Sequence, residues 1–284
     1  MTLNLDAIHA VPVMLPESRA LNLLLVGCGG NGSWMAEAIA RLAYILQRRG
    51  LETAVTFYDG DTVQPENVPR QRFYPAELGL NKAVALAARY NLRYGLQIEA
   101  VPAHFRPFKP PDWYCTTLTI LVGCVDGHEG RQALQATLNP DHPRVWWLDV
   151  GNHQTSGQVL LGSQREVSQL QGAFSLGALC TRLPSPGLVH PELLQPLQRS
   201  EAETQDPAGC AHLDVQGLTV NQQASAIATD YLHRLIAGKL TRFATYFDQS
   251  TGVMNSQYIT PNSIATAVGQ PGLFAAGGAR QGES

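Results

Sequence analysis

The chain has 284 residues, 44% apolar and 15% charged, with 20 basic and 23 acidic side chains and a formal net charge of −3. That apolar content can build a large core and predicts a single soluble domain, while the charge balance excludes the broad positive field that a nucleic-acid backbone calls for. No apolar run nears the ~18 residues that span a bilayer, and MTLNLDAIHAV lacks a charged segment followed by an apolar one, so a cytoplasmic protein with no membrane partner is expected. The five cysteines, Cys28, Cys115, Cys124, Cys180 and Cys210, form no C-x-x-C pair, which argues against a disulfide framework and against a zinc knuckle.

In chain order, LNLLLVG (21–27) is a continuous apolar run ending in glycines, the pattern of a strand buried on both faces of a parallel sheet. A helix is predicted over 33–49, with Met35, Ile39, Leu42 and Leu46 on one face and Gly50 as its stop. TAVTFYD (53–59) reads as the second parallel strand. A helix follows at about 81–93, then strands at 96–102 and 118–126, a helix over GRQALQATL, and strands at RVWWLDVG and GQVLLG. From 163 to about 216 periodicity fades and Pro, Gly, Ser and Gln accumulate, which predicts a long irregular excursion of the kind that serves as a lid or partner-binding loop. NQQASAIATDYLHRLIAGK restores a helical stripe through Ala224, Ile227, Ala228, Tyr231, Leu232, Leu235 and Ile236. A hairpin around DQSTGV and a disordered tail, FAAGGARQGES, are predicted to end the chain.

Chemistry concentrates in three places. VGCGGNGS sets Gly27, Gly29, Gly30 and Gly32 between a strand and a helix, where missing side chains let backbone amides approach a phosphate closely. A plain closing turn would need fewer glycines. Asp59 ends the second strand, the position at which a doubly wound sheet presents an acid to ribose hydroxyls. On its own it would suggest a nicotinamide oxidoreductase. Hydride transfer, however, has no use for Asp61, Asn67, Arg70, Gln71 and Lys82 gathered on the next loop and helix. That set suits a triphosphate, with an acid to assist a Mg²⁺ shell and two cations to neutralise charge as pyrophosphate departs. Asp126, just past the fourth strand, stands at a carboxyl end, where open α/β sheets bind ligands.

GCGGNGS, then D-G-D-T-V-x-x-x-N-V-x-R-Q, then G-L-N-K, then VDGHEGRQAL resemble the successive motifs of the ThiF/MoeB and ubiquitin-activating adenylyltransferases, in order and spacing over about 20–162 and again over 209–238. LVGCGGNGS and GCAHLDVQGLTVNQ look most like the ThiF proteins of the PRTRC system. The resemblance implies a Rossmann-like, doubly wound α/β fold, its sheet mainly parallel with C-terminal mixed strands. It also implies one adenylation domain over 1–250, with the excursion inside it, and a strand and tail over 251–284. The activity implied is ATP- and Mg²⁺-dependent adenylation of the C-terminal glycine of a small ubiquitin-like β-grasp protein, releasing pyrophosphate, followed in many members by capture on a cysteine. Residue by residue, the glycine turn would hold the nucleotide, Asp59 the ribose, Asn67, Arg70 and Lys82 the triphosphate, and Asp126 the magnesium. Gln71 would support Arg70, and Arg131 would pair with a carboxylate outside the catalytic core.

The sequence departs from this pattern in two respects. Many relatives carry two C-x-x-C pairs on zinc and this chain has neither, so no zinc is expected. Relatives also supply an arginine across a dimer interface from an N-terminal motif that MTLNLDAIHAVPVMLPESRA does not match; Arg19 is the one arginine before the first strand, and homodimerisation remains a family expectation. For the acceptor, Cys210 is preferred to Cys180. Cys28, Cys115 and Cys124 read as packing residues, and His153 and His212 as surface or core histidines. Three alternatives stay open: adenylation of a small-molecule or peptide carboxylate, a non-catalytic scaffold, and, more distantly, the nicotinamide oxidoreductase.

Overall fold

The computed structural model describes residues 6–109, 116–138, 144–196 and 219–274. Eight strands form one sheet in the order β3-β2-β1-β4-β5-β6-β7-β8. β1 (Ala20–Val26), β2 (Glu52–Tyr58), β3 (Glu99–Val101), β4 (Thr117–Gly123) and β5 (Val145–Asn152) are parallel. β6 (Ser156–Gly162), β7 (Arg242–Asp248) and β8 (Val253–Tyr258) continue the sheet antiparallel. The expected mainly parallel, doubly wound sheet with mixed C-terminal strands is the one observed. After β1 the chain builds outward through β2 and β3, then returns to place β4 on the other side of β1. That reversal opens a crevice at the carboxyl ends of β1 and β4, where such sheets bind ligands.

Four of the helices are short or peripheral: α1 (Asp6–His9), α4 (His128–Thr137), α5 (Pro186–Val189) and α7 (Pro261–Ala267). The long ones, α2 (Gly30–Arg48), α3 (Lys82–Tyr94) and α6 (Val220–Ile236), cover one face. The α2 stripe of Met35, Ile39, Leu42 and Leu46 is buried and faces α6, whose Ala224, Ala228, Tyr231, Leu232 and Leu235 are buried in turn. Because successive strand residues point to opposite faces, Trp146 enters this larger core and Trp147 the smaller one, with Leu24, Val26 and Leu121 of the sheet and Leu134 of α4. Burial of each such side chain contributes roughly 1.5–3 kcal/mol. Among the described residues, no helix is long and apolar enough to cross a membrane.

β3 is shorter than the predicted strand over 96–102. Leu96 and Ile98 are buried, but the Asn91 carboxamide takes up the ladder groups of Ile98, accepting its amide at 2.6 Å and donating to its carbonyl at 3.0 Å. The excursion is partly fastened. The Met14 amide donates to the Cys180 carbonyl at 2.8 Å and the Cys180 amide to the Pro12 carbonyl at 3.0 Å, a short bridge around Val13, and the amides of Ser163 and Gln164 both donate to the Leu183 carbonyl at 3.0 Å. Beyond residue 250 the chain adds β8 to the same sheet, and Phe274, the first residue of the predicted tail, meets Phe174 edge-on with ring centroids 5.0 Å apart. The rest of that tail lies outside the described residues.

Candidate active site

β1 ends at Val26 and the chain turns at Gly27, with φ +86° and the Cys124 carbonyl oxygen 2.6 Å from where a Cβ would stand. Only glycine accepts both conditions. Gly32 lets α2 descend onto this turn, since a Cβ there would lie 1.9 Å from the Gly27 carbonyl oxygen, and Gly30 faces the Asn221 carboxamide of α6. Gly27 and Gly29 line the crevice, whereas Gly30 and Gly32 serve packing. No side chain caps the N-terminus of α2. Its first amides therefore keep the partial positive charge that attracts anions.

Asp59 is buried beyond β2. One carboxylate oxygen accepts the Cys28 amide at 2.6 Å and the other the Asp61 amide at 2.8 Å, which stitches the glycine turn to the 59–61 loop. Burial pushes its pKa up, opposed by these two amides and by the Lys82 ammonium. A carboxylate offers about four lone-pair sites, so capacity remains for a ligand hydroxyl. Lys82 opens α3 with its side chain 10% exposed and its ammonium 3.1 Å from a carboxylate oxygen of the exposed Asp61. Asn81, one residue earlier, caps α3 by accepting the Val84 amide and donates to the Asp59 and Asp61 carbonyls at 2.8 and 2.9 Å. It anchors the acidic loop to the helix that carries the lysine.

Gln71 stands on the crevice wall. Arg70 and Asn67 are not among the crevice residues: Arg70 is exposed on the neighbouring loop, and the buried Asn67 carboxamide accepts the Gln64 amide at 2.9 Å, shaping the turn over Pro65–Asn67. Asp126 is exposed at the carboxyl end of β4, ahead of α4, whose N-terminus also has no side-chain cap. The crevice has a volume of about 520 Å³ and brings together Gly27, Gly29, Asp59, Asp61, Gln71, Lys82 and Asp126, with His104, Arg106 and Glu129 added. Among the described residues, no group of three or more His, Cys, Asp or Glu side chains could hold a metal unaided. Magnesium takes one or two carboxylates together with substrate phosphates and waters, and Asp126 with Glu129 on the wall matches that donor set.

Comparison with known proteins decides the family. The ThiF family model matches residues 16–263. The chain belongs to the ThiF family. Ubiquitin-like modifier-activating enzyme 5 of Bombyx mori is 27% identical over 154 residues, covering 50% of this chain and 37% of that protein. The Drosophila melanogaster enzyme of the same name is 26% identical over 147 residues, 48% of this chain and 34% of its own length. The match thus spans about a third of these curated relatives. Among solved structures, SeMet PaaA superposes with a TM-score of 0.54 at 14% identity over 86% of this chain and 65% of that one. E. coli MccB with ATP gives 0.52 at 13% identity over the same shares. At these identities the likeness is one of fold.

Burial governs the three described cysteines of this ThiF chain. Cys28 and Cys124 are buried with thiol pKa values pushed well up by desolvation, and Cys180, also buried, is pushed up to about 12 while its Sγ meets the Arg182 carbonyl at 3.1 Å. None of the three is poised as a nucleophile. Cys115, Cys210 and His212 lie outside the described residues. His153 is exposed at the β5–β6 hairpin. The Arg19 amide donates to Thr116 at the amino end of β1, far along the strand from the crevice. Sequence reasoning passed over Asn81, although an asparagine directly before a helical stripe is itself a cap signal. It also passed over His104, whose ring stands 2.8 Å from where a Gly60 Cβ would be.

Proposed function

We propose that this ThiF chain uses ATP with Mg²⁺ to adenylate the C-terminal glycine of a small ubiquitin-like β-grasp protein. The ionised carboxylate attacks the α-phosphorus; a new carbon-side O–P bond forms as the bond to the bridging β-oxygen breaks, and pyrophosphate leaves. The observation that carries the reading is the meeting of two uncapped helix N-termini, α2 and α4, with the Lys82 ammonium on one crevice. Such preorganised positive groups suit a departing pyrophosphate. Asp59 takes the ribose hydroxyls, Asp126 the magnesium, and Arg70 the triphosphate from the crevice rim, on a loop that Asn67 and Gln71 hold in shape.

The protein substrate is favoured by the sequence relatives, which activate ubiquitin-like modifiers by name. A peptide carboxylate is the second reading, favoured by the structural likeness to MccB, which has been solved with MccA. Capture on Cys210, and the narrower likeness to the PRTRC-system proteins, belong to the proposal as well. ATP–pyrophosphate exchange tests it, run with ubiquitin-like proteins ending in glycine and with short peptides. Exchange is expected with the former, and Lys82→Ala, Arg70→Ala or Asp126→Ala should lower it by about 10²–10³, the usual loss of one charge-stabilising contact. Exchange with peptides alone would move the assignment to the second reading. ATP binding without exchange for either class would leave a scaffold.

A further inference from the structure

We propose that Arg131 and the buried Asp149 form a latch that positions Asp126, and through it the metal-bound triphosphate. The inference rests on the ATP and Mg²⁺ reading above. β5 is an apolar strand, buried from Val145 to Gly151, yet it places a carboxylate with no solvent exposure at Asp149, directly across from Gly123 of β4. A carboxylate in such a place needs a partner. Arg131, in the first turn of α4, supplies it with Nε 3.2 Å from Oδ1, while Nη1 of the same guanidinium donates to the Asp126 main-chain carbonyl at 3.3 Å. One planar fork thus ties β5 to the turn between β4 and α4.

The surrounding backbone leaves room for this fork. A Cβ at Gly151 would stand 3.2 Å from Nη2 of Arg131, tighter than ordinary contact. Asp149 Oδ2 is buried without a hydrogen-bond partner, so Arg131 supplies the only hydrogen bond the carboxylate accepts among the described residues. An apolar pair of the same volume would fill the site as stably. What such a pair would not supply is a donor to the Asp126 carbonyl. Asp126 is exposed on a turn of a few residues, and it is the acid that must hold one orientation toward a phosphate-bound cation. Arg131 and Asp149 are therefore positioning residues: neither lines the crevice, and both act through Asp126.

The test is calorimetry of the full chain with ATP in excess Mg²⁺ and with ATP in EDTA, and circular dichroism as a check on folding. The proteins are wild type, Arg131→Lys, Asp149→Asn and the apolar double variant Arg131→Met/Asp149→Leu. Lysine keeps the charge but cannot reach both partners at once, and the double variant removes the buried charge altogether. Each variant should bind metal-free ATP within about twofold of wild type and lose about tenfold in affinity for MgATP, the lower end of what outer-shell partners of a metal site contribute. Adding Arg131→Lys to Asp126→Asn should cost nothing beyond Asp126→Asn alone, because Arg131 acts through the Asp126 carboxylate. Folded variants that keep the wild-type gain from Mg²⁺, or that lose both affinities together, overturn the latch and leave the functional reading standing. Wild type that fails to bind ATP in either condition overturns that reading, and the latch falls with it.

Discussion

Removing only the cation of the buried pair, by Arg131→Met, should destabilise the fold in a manner set by pH. Asp149 is fully buried and its pKa is raised, by desolvation first, with Arg131 and then His190 of the 186–190 segment pulling the other way. A raised carboxyl binds its proton more tightly in the folded chain than in the unfolded one. Stability from that group is therefore greatest at low pH and declines as pH climbs from the unfolded value toward the folded one. Without Arg131 the main opposing pull is gone, and the carboxyl keeps its proton to higher pH. Holding a proton that the unfolded chain releases near pH ~3.9 costs about 1.4 kcal/mol per pH unit. The penalty for Arg131→Met should thus grow as pH climbs from 5 to 7, toward the roughly 3–5 kcal/mol seen when a buried pair loses one partner. Urea unfolding followed by tryptophan fluorescence reads this directly, since Trp146 and Trp147 are fully buried on the same strand. Arg131→Met/Asp149→Leu should recover most of the loss and show no such slope. An equal penalty for Arg131→Met at both pH values, or one below 1 kcal/mol at pH 7, would refute the reasoning.

Three other outcomes are expected. With its pKa near 12, Cys180 carries about one thiolate in 10⁴ at pH 8, so iodoacetamide with peptide mapping should leave Cys28, Cys124 and Cys180 unmodified in the folded chain and label all three in urea; rapid labelling of Cys180 when folded would contradict its burial. Correspondingly, Cys210→Ser should keep pyrophosphate exchange and lose any thiol-sensitive conjugate, while Cys180→Ser keeps both. Asn81→Ala removes a helix cap together with two ties to the acidic loop, so it should cost about 1–2 kcal/mol, or several degrees in Tm, and weaken ATP binding; an unchanged melt and unchanged affinity would deny Asn81 its anchoring role.

Much of the fold was legible because the central strands are apolar throughout and the helices between them keep a 3.6-residue stripe. Leu21 to Val26 and Met35 to Leu46 needed no tertiary information to be placed. Gly27, Gly29, Asp59 and Lys82 were legible as neighbours on one crevice for a related reason: they gather at the carboxyl ends of such strands, where open sheets leave a cleft. What escaped depends on partners distant in sequence. The bridge between Val13 and Cys180 and the tie of Ser163 and Gln164 to Leu183 are main-chain contacts that leave no periodic trace. α7 follows a Thr-Pro start that sequence reading passed over, with Thr260 capping the Ser263 amide. The pair at Asp149 and Arg131 was half visible. A single acid inside VWWLDVG signals a buried charge, and Arg131 was expected to meet a carboxylate; only the sheet register shows that the two meet beside Asp126.

The polar contacts around the crevice differ in how readily they give way. Asp59 is held by two main-chain amides at 2.6 and 2.8 Å, and Asn81 by three partners, so neither can leave its place without opening the loop. Lys82 and Asp61 share a single contact at 3.1 Å, and the Asp61 side chain is 62% exposed. With its acid open to water and its lysine buried, this single contact gives way more readily than the main-chain ties at Asp59. A polyanionic phosphate group would compete for the ammonium at a site already carrying two helix N-termini. On the proposed ATP reading, Asp61 is the partner that yields the lysine to an entering phosphate. The acid two residues earlier cannot do this, because its oxygens are committed to the backbone that shapes the site. Two aspartates on one short loop thus differ in kind: Asp59 fixes the geometry through main-chain amides, and Asp61 holds Lys82 by one solvent-open contact.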